Sequence, residues 1–288
     1  MELTVAGQLC RLATDHPFAP AHSPWPPLLL IHGAAHDRDA WHQVASSLSA
    51  AGCCVLAPDL PGHGLSGGPP LPSIEALADW LPALLDATGV DKVILVGHSM
   101  GSLVALEGAA RHPQRVSGLV LLGSSVPMPV ADPLLACAAT TPDQVYRLIN
   151  EYSLTPRFQL TGGGGHGIWG PGVTLAIMRR SPPGVLAIDL ANCNNYLNGL
   201  EAAAQVRCQT LLMVARRDRM TPRRNLPPLQ EALRHARRVE IADCGHAMMS
   251  ERPQVVVEHL LHFLPATTRA AGDPPPAAHA PAQSLQPG

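Results

Sequence analysis

The sequence predicts an α/β protein with a mostly parallel sheet flanked by helices and one inserted helical block. Three observations predict it. Short apolar runs alternate with helix-period segments over residues 28–122, the alternation lapses over residues 124–205, and it resumes over residues 210–263. Strands separated by helices in this way pair in parallel through right-handed crossovers.

The elements follow in order. Residues 3–5 and 9–13 alternate around Gly7-Gln8 and read as a hairpin. After a Pro-rich loop over residues 16–27, the all-apolar run Leu28-Leu29-Leu30-Ile31 reads as a strand buried on both faces. Trp41, Val44, Leu48 and Ala51 mark a helix over residues 39–51, stopped by Gly52. Residues 53–57, with Cys53 and Cys54, read as the next strand, residues 73–88 as a helix and residues 92–96 as a strand. Residues 99–111 read as a helix and 116–122 as a strand; beyond the insertion come strand 210–215, helix 223–235, strand 239–242 and helix 255–263. The Pro/Ala-rich stretch 266–288 reads as disordered.

Composition narrows the class. A 46% hydrophobic content supports a sizeable core, and with only 3% aromatics that core is aliphatic. A net charge of −2 supplies no field for nucleic acid or anionic lipid, so neither is expected as a partner. The cluster Arg216, Arg217, Arg219, Arg223 and Arg224 reads as a solvated loop and helix start. Seven cysteines, an odd number without zinc-ligand spacing, fit buried reduced thiols in a cytoplasmic protein. The N-terminus lacks the basic-then-apolar pattern of a signal peptide, and no apolar run approaches the roughly 18–20 residues of a membrane span.

Gly97-His98-Ser99-Met100-Gly101 lies between a strand and a helix, the context of a nucleophile elbow. Glycines flank so tight a turn because side chains there would clash, and the turn lifts the Ser99 hydroxyl clear of the sheet. A serine needs a neighbouring base at neutral pH. His246 follows strand 239–242, and Asp218 follows strand 210–215; both stand at carboxyl ends of parallel strands, where such sheets place their sites. Asp218 would fix the imidazole tautomer and stabilise its charged form. Asp243, in the histidine's own loop, is a weaker rival. The N–H groups of Ala34, after His32-Gly33, and of Met100 are the expected oxyanion hole. His32, Ala35, His98 and Asn194 are candidate pocket residues, the last from the polar cluster Asn192 to Tyr196. A metal cluster of His32, His36, His42 and His63 is a weak alternative, and no metal or cofactor is expected.

Four segments together resemble the α/β-hydrolase superfamily: His32-Gly33 with Trp41, Asp59-Leu60-Pro61-Gly62-His63-Gly64-Leu65-Ser66, Gly97 to Gly101, and Gly245-His246 preceded by Asp218. The resemblance spans residues 28–264. It implies an α/β-hydrolase fold over residues 1–123 and 206–265, with residues 124–205 as a cap after the sixth strand that covers the serine. It also implies a structural role for the loop from Asp59 to Ser66. The glycine run from Gly162 reads as a lid hinge, since it lacks the Lys-Ser/Thr ending of a phosphate loop.

Serine at the elbow implies an esterase-like enzyme acting through an acyl-enzyme on a small acyl substrate. Thioesters, lactones and carbon–carbon bonds are alternatives on the same triad, and a non-catalytic binding protein is a more distant one. Ala34-Ala35-His36 and Ala247 depart from the pattern of the carbon–carbon hydrolases. A histidine base implies activity that falls as pH drops through about 6–7. A monomer or homodimer is expected.

Overall fold

The computed structural model describes residues 1–14, 23–162 and 169–267. The expected glycine hinge lies mostly, and the tail almost wholly, outside these residues. Eight strands form one sheet: β1 (Glu2–Val5), β2 (Gln8–Thr14), β3 (Leu28–Ile31), β4 (Val55–Pro58), β5 (Val93–His98), β6 (Val116–Leu122), β7 (Gln209–Ala215) and β8 (Ala236–Ile241). Their spatial order is β1-β2-β4-β3-β5-β6-β7-β8, and only the β1/β2 and β2/β4 pairings are antiparallel. This is the α/β-hydrolase fold that the sequence predicts.

The period-2 geometry of strands sends alternate side chains to opposite faces. In β5, Val93 and Leu95 join the core under one face, and Ile94 and Val96 the core under the other. Strands β3, β6 and β7 divide their apolar residues in the same way, which is why these runs read as continuously hydrophobic. Helices α2 (Ile74–Thr88) and α3 (Met100–Arg111) supply the first core; α1 (His42–Ala50) and α12 (Pro253–Thr267) supply the second. Each fully buried leucine in these layers is worth about 1.5–3 kcal/mol.

Among the described residues, six helices stand between β6 and β7: α4 (Asp132–Thr140), α5 (Pro142–Ser153), α6 (Pro156–Thr161), α7 (Gly170–Arg179), α8 (Val185–Asn195) and α9 (Gly199–Gln205). Four of them, α4, α5, α7 and α8, share a small core of their own that includes Ala138, Val145, Leu175 and Leu186. In α9, Ala202 and Ala203 pack instead into the main core beside α3. The block is tied down by Arg180, which donates to Asp37 at 2.6 and 2.8 Å.

Four expectations are corrected. Cys53 and Cys54 precede the strand, which starts at Val55. The helix expected over residues 223–235 is a 3-10 turn followed by the short α10 (Pro227–Ala232), because Pro227 and Pro228 have no N–H and can only begin a helix. Strand β8 starts at Ala236 rather than 239; Arg237 and Arg238 are exposed on this edge strand and carry no apolar signal. The last helix is also longer than expected and ends at Thr267, inside the stretch read as disordered.

Candidate active site

Strands β5, β7 and β8 run in parallel, so their carboxyl ends open on one rim of the sheet. Ser99 follows β5 immediately and has φ 55° and ψ −122°. A non-glycine residue held at positive φ stores of the order of 1–3 kcal/mol of strain, which the surroundings must enforce. They do so through close approach. A Cβ on Gly97 would stand 2.1 Å from the Gly101 carbonyl oxygen, and one on Gly101 would stand 2.3 Å from that of Ile31. The Ser99 N–H donates to Leu122 O at 3.0 Å and ties the turn to β6.

The Asp218 and His246 side chains meet at a distance of 2.8 Å between Oδ2 and Nδ1. Both residues are buried. The Asp218 carboxylate also accepts the N–H groups of Met220 and Thr221 on Oδ1 and the Thr221 hydroxyl on Oδ2, each at 2.8 Å. Burial pushes this carboxyl up, but the neighbouring His246 and these donors outweigh it and hold Asp218 well below the usual carboxylate range. The opposite ring nitrogen, His246 Nε2, is buried with no hydrogen-bond partner among the described residues. Asp243 is turned away and pairs with Arg217 at 2.7 Å on the surface.

Ser99 and His246 open into one cavity of about 500 Å³, with Ala34 and Thr221 on its wall. The N–H of Met100, first residue of α3, has no acceptor within the helix. Gly33 lies so near Ser99 that a Cβ there would stand 3.2 Å from Ser99 Cβ. The remaining wall is mostly apolar, with Met128, Val130, Leu134, Ile149, Ile177 and Met178 prominent in it. Among the described residues, Arg219 is the one permanently charged residue lining the cavity, and its guanidinium stacks 4.0 Å from the ring centre of Tyr152. Cys193 also borders the cavity, but burial pushes its thiol far up and away from thiolate chemistry.

The description of the Alpha/beta hydrolase family matches residues 28–259. The chain belongs to that family. Lipase LipV of Mycobacterium tuberculosis is 41% identical over 99 residues, which are 34% of this chain and 37% of that lipase. A pimeloyl-[acyl-carrier protein] methyl ester esterase of Edwardsiella ictaluri is 40% identical over 98 residues, 34% of this chain and 36% of the relative. These matches span only about a third of either relative. Among solved structures, a thermophilic esterase of Thermogutta terrifontis superposes with a TM-score of 0.80 at 20% identity, covering 93% of this chain and 99% of that one. The enol-lactonase of Burkholderia xenovorans LB400 gives 0.77 at 22% identity, with 92% and 100% covered. At these identities the likeness to the solved structures is one of fold.

Of the pocket residues predicted for this alpha/beta hydrolase, His98 lines the cavity and the other three do not. His32 and Ala35 are wholly buried beneath the turn, since adjacency in sequence does not choose which way a residue faces. Asn194 points elsewhere and accepts the Val130 N–H at 3.0 Å. His98 Nε2 donates to the His246 carbonyl at 2.9 Å, and burial keeps its imidazole far below its usual range and neutral. Arg216 pairs with Glu240 rather than with Asp218. Among the described residues no group of three or more His, Cys, Asp or Glu is placed to hold a metal ion, and no helix is long and apolar enough to cross a membrane.

Sequence reasoning missed three supports of the alpha/beta hydrolase site. Thr221 closes the second side of Asp218. Glu251 accepts the Gly245 N–H at 3.0 Å and the Thr155 hydroxyl at 2.6 Å, clamping the histidine loop to the inserted block. Gly123, directly after β6, leaves room for the imidazole: a Cβ there would stand 2.8 Å from His246 Cε1 and Nδ1. A glycine closing a buried strand was the only one of these signals present in the sequence.

Proposed function

We propose that the protein is a serine hydrolase that cleaves carboxylic esters with apolar acyl groups, using Ser99 as nucleophile, His246 as base and Asp218 as its orienter. The observation that carries the reading is the state of His246: its Nδ1 is fixed by a buried carboxylate, while its Nε2 is unpaired and the residue lines the same mostly apolar cavity as Ser99. Ser99 Oγ attacks the acyl carbon as its proton passes to His246 Nε2. The resulting oxyanion is met by the N–H groups of Ala34 and Met100. On collapse, His246 returns the proton to the leaving alkoxide. Water then repeats the sequence on the acyl-enzyme and releases the acid. Side chains, two backbone N–H groups and one water suffice for these steps.

Helices α4, α5, α7 and α8, with residues 128–131 before them, supply most of the apolar wall, which supports the role of the inserted block as a cap that selects the acyl chain. Each methylene moved from water into such a wall is worth about 0.8 kcal/mol. Hydrolysis of p-nitrophenyl butyrate is therefore expected to exceed that of the acetate by about tenfold in kcat/KM, and the octanoate should be accepted. A profile that favours acetate, or turnover only of lactones or carbon–carbon substrates, contradicts this assignment of substrate.

Gly123→Ala supplies a geometric check. The added methyl collides with the imidazole. Displacement of a catalytic group by about 1 Å costs up to about 10²-fold, so kcat should fall 10- to 100-fold while circular dichroism stays native. Unchanged kcat means that the position of His246 does not matter to the reaction.

A further inference from the structure

The inserted block carries a buried carboxylate for which the acyl-transfer steps have no use. Asp189, on α8, accepts the Ala35 N–H on Oδ2 at 2.7 Å, and the same oxygen lies 2.9 Å from His63 Nε2. The side chains of Asp189 and His63 are each 1% exposed. The other ring nitrogen of His63, Nδ1, lies 3.0 Å from the Pro61 carbonyl oxygen. Both nitrogens thus face acceptors, and both must carry protons. His63 is an imidazolium locked against a carboxylate.

Two further histidines act on the same turn. The Leu60 N–H donates to His32 Nε2 at 3.1 Å, which places the His32 proton on Nδ1; that group donates to Gly33 O at 2.9 Å. His36 Nδ1 donates to Ala34 O at 2.8 Å, and the His36 N–H donates to Gly33 O at 3.2 Å. The peptide between Ala34 and Ala35 is therefore held at both ends, and the one between Gly33 and Ala34 is held at its oxygen. Ala35 itself sits at φ 54°, a conformation that needs such enforcement.

We infer that Asp189 and His63 form a clasp between the inserted helices and the oxyanion turn, positioning the Ala34 N–H only while α8 is seated. The inference rests on the serine-hydrolase reading above. Asp189 and His63 are positioning residues; neither touches the reacting atoms. The pair also gives the clasp a pH limit. Burial lowers the pKa of His63, but the charge and hydrogen bond of Asp189 outweigh it, with Asp59 adding in the same direction, so His63 stays protonated above the usual histidine range. The His32 ring lies 5.0 Å away; burial, then His63 itself, holds its pKa down to about 3, so it adds no charge. Arg38 faces the other side of Asp59. A raised histidine contributes fully below its unfolded pKa and loses the contribution as pH rises through the folded value. Deprotonating His63 leaves Asp189 buried without its counter-charge, so the clasp weakens on the alkaline side.

The test has an arm that needs no turnover. Nitrogen-detected NMR of the histidine rings in the whole protein, with His63 assigned through His63→Gln, should show two ring N–H groups on His63 at pH 7, where an ordinary imidazole is mostly neutral. A neutral ring at pH 7 overturns the clasp. The second arm compares Asp189→Asn, which keeps an acceptor for Ala35, with Asp189→Ala on p-nitrophenyl butyrate. The expected losses in kcat are about tenfold and about 100-fold, with KM within about threefold and the native alkaline decline absent from the Asn variant. A fall in kcat that only tracks the folded fraction, with the alkaline decline retained, also overturns the clasp. If the Ala variant does not fold, the Asn variant and the ring spectrum still decide the matter. Failure of the underlying reading looks different: Ser99→Ala would keep its turnover while His63 remained doubly protonated.

Discussion

Replacement of Ser99 by Ala is expected to lower kcat on p-nitrophenyl butyrate by about 10⁴–10⁶-fold. The size follows from what the hydroxyl does. Without it no acyl-enzyme forms, and what remains is water attack assisted by the oxyanion donors and by substrate binding. The fold should be indifferent to the change, because the elbow is enforced by the close approaches at Gly97 and Gly101 and by the Ser99 N–H bond to Leu122. An unchanged circular dichroism spectrum and thermal midpoint, together with KM near that of the native protein, would separate lost chemistry from lost structure. Equal turnover by both proteins would remove Ser99 from the reaction.

Asp218→Asn should cost about 10⁴-fold in kcat, for a reason visible in the hydrogen bonds. Oδ1 accepts two N–H groups, and Oδ2 accepts the Thr221 hydroxyl and faces His246 Nδ1. An asparagine can keep its oxygen on the two N–H groups only by presenting an amide N–H to His246. The imidazole must then accept on Nδ1, which moves its proton to Nε2, the nitrogen that has to receive the serine proton. The substitution also changes acid stability. Since the folded carboxyl is held low, its contribution is present above the ordinary carboxylate pKa of about 3.9 and is lost as pH falls through the folded value. The thermal midpoint of the native protein should therefore drop between pH 5 and pH 2 more steeply than that of Asp218→Asn. Parallel curves would mean that Asp218 is not held as an anion.

The parts of the fold and site that were legible in the sequence have short-range signals. Strands β3, β5, β6 and β7 are buried on both faces and so read as unbroken apolar runs. Ser99 announces itself through glycines two residues away on either side. Asp218 follows β7 within a few residues and His246 follows the edge strand β8 in the same way, and strand ends in a parallel sheet share one rim. Thr221 lies three residues from Asp218, but the other supports are long-range. Thr155 reaches Glu251 and Asp189 reaches His63 across spacings that no local period marks. His32, His36 and His63 could be listed from the sequence as a possible metal set; only the direction of each ring nitrogen reveals that they hold a turn. Arg223 to His235 failed as a helix because Pro227 and Pro228 limit it to one short segment. Ala35 failed as a pocket residue because a loop has no period from which to read a face, and Asn194 because at the end of α8 its side chain is taken up by the Val130 N–H.

The most direct test of the account is to find where an acyl-transfer inhibitor becomes attached. A fluorophosphonate carrying an octyl chain, mixed with the native protein at neutral pH and followed by peptide mass spectrometry, should give one phosphonyl adduct per chain, on Ser99. His246→Ala should label far more slowly. An adduct on another residue, or no adduct while esters are still turned over, would contradict the assignment of Ser99 as the nucleophile of this protein.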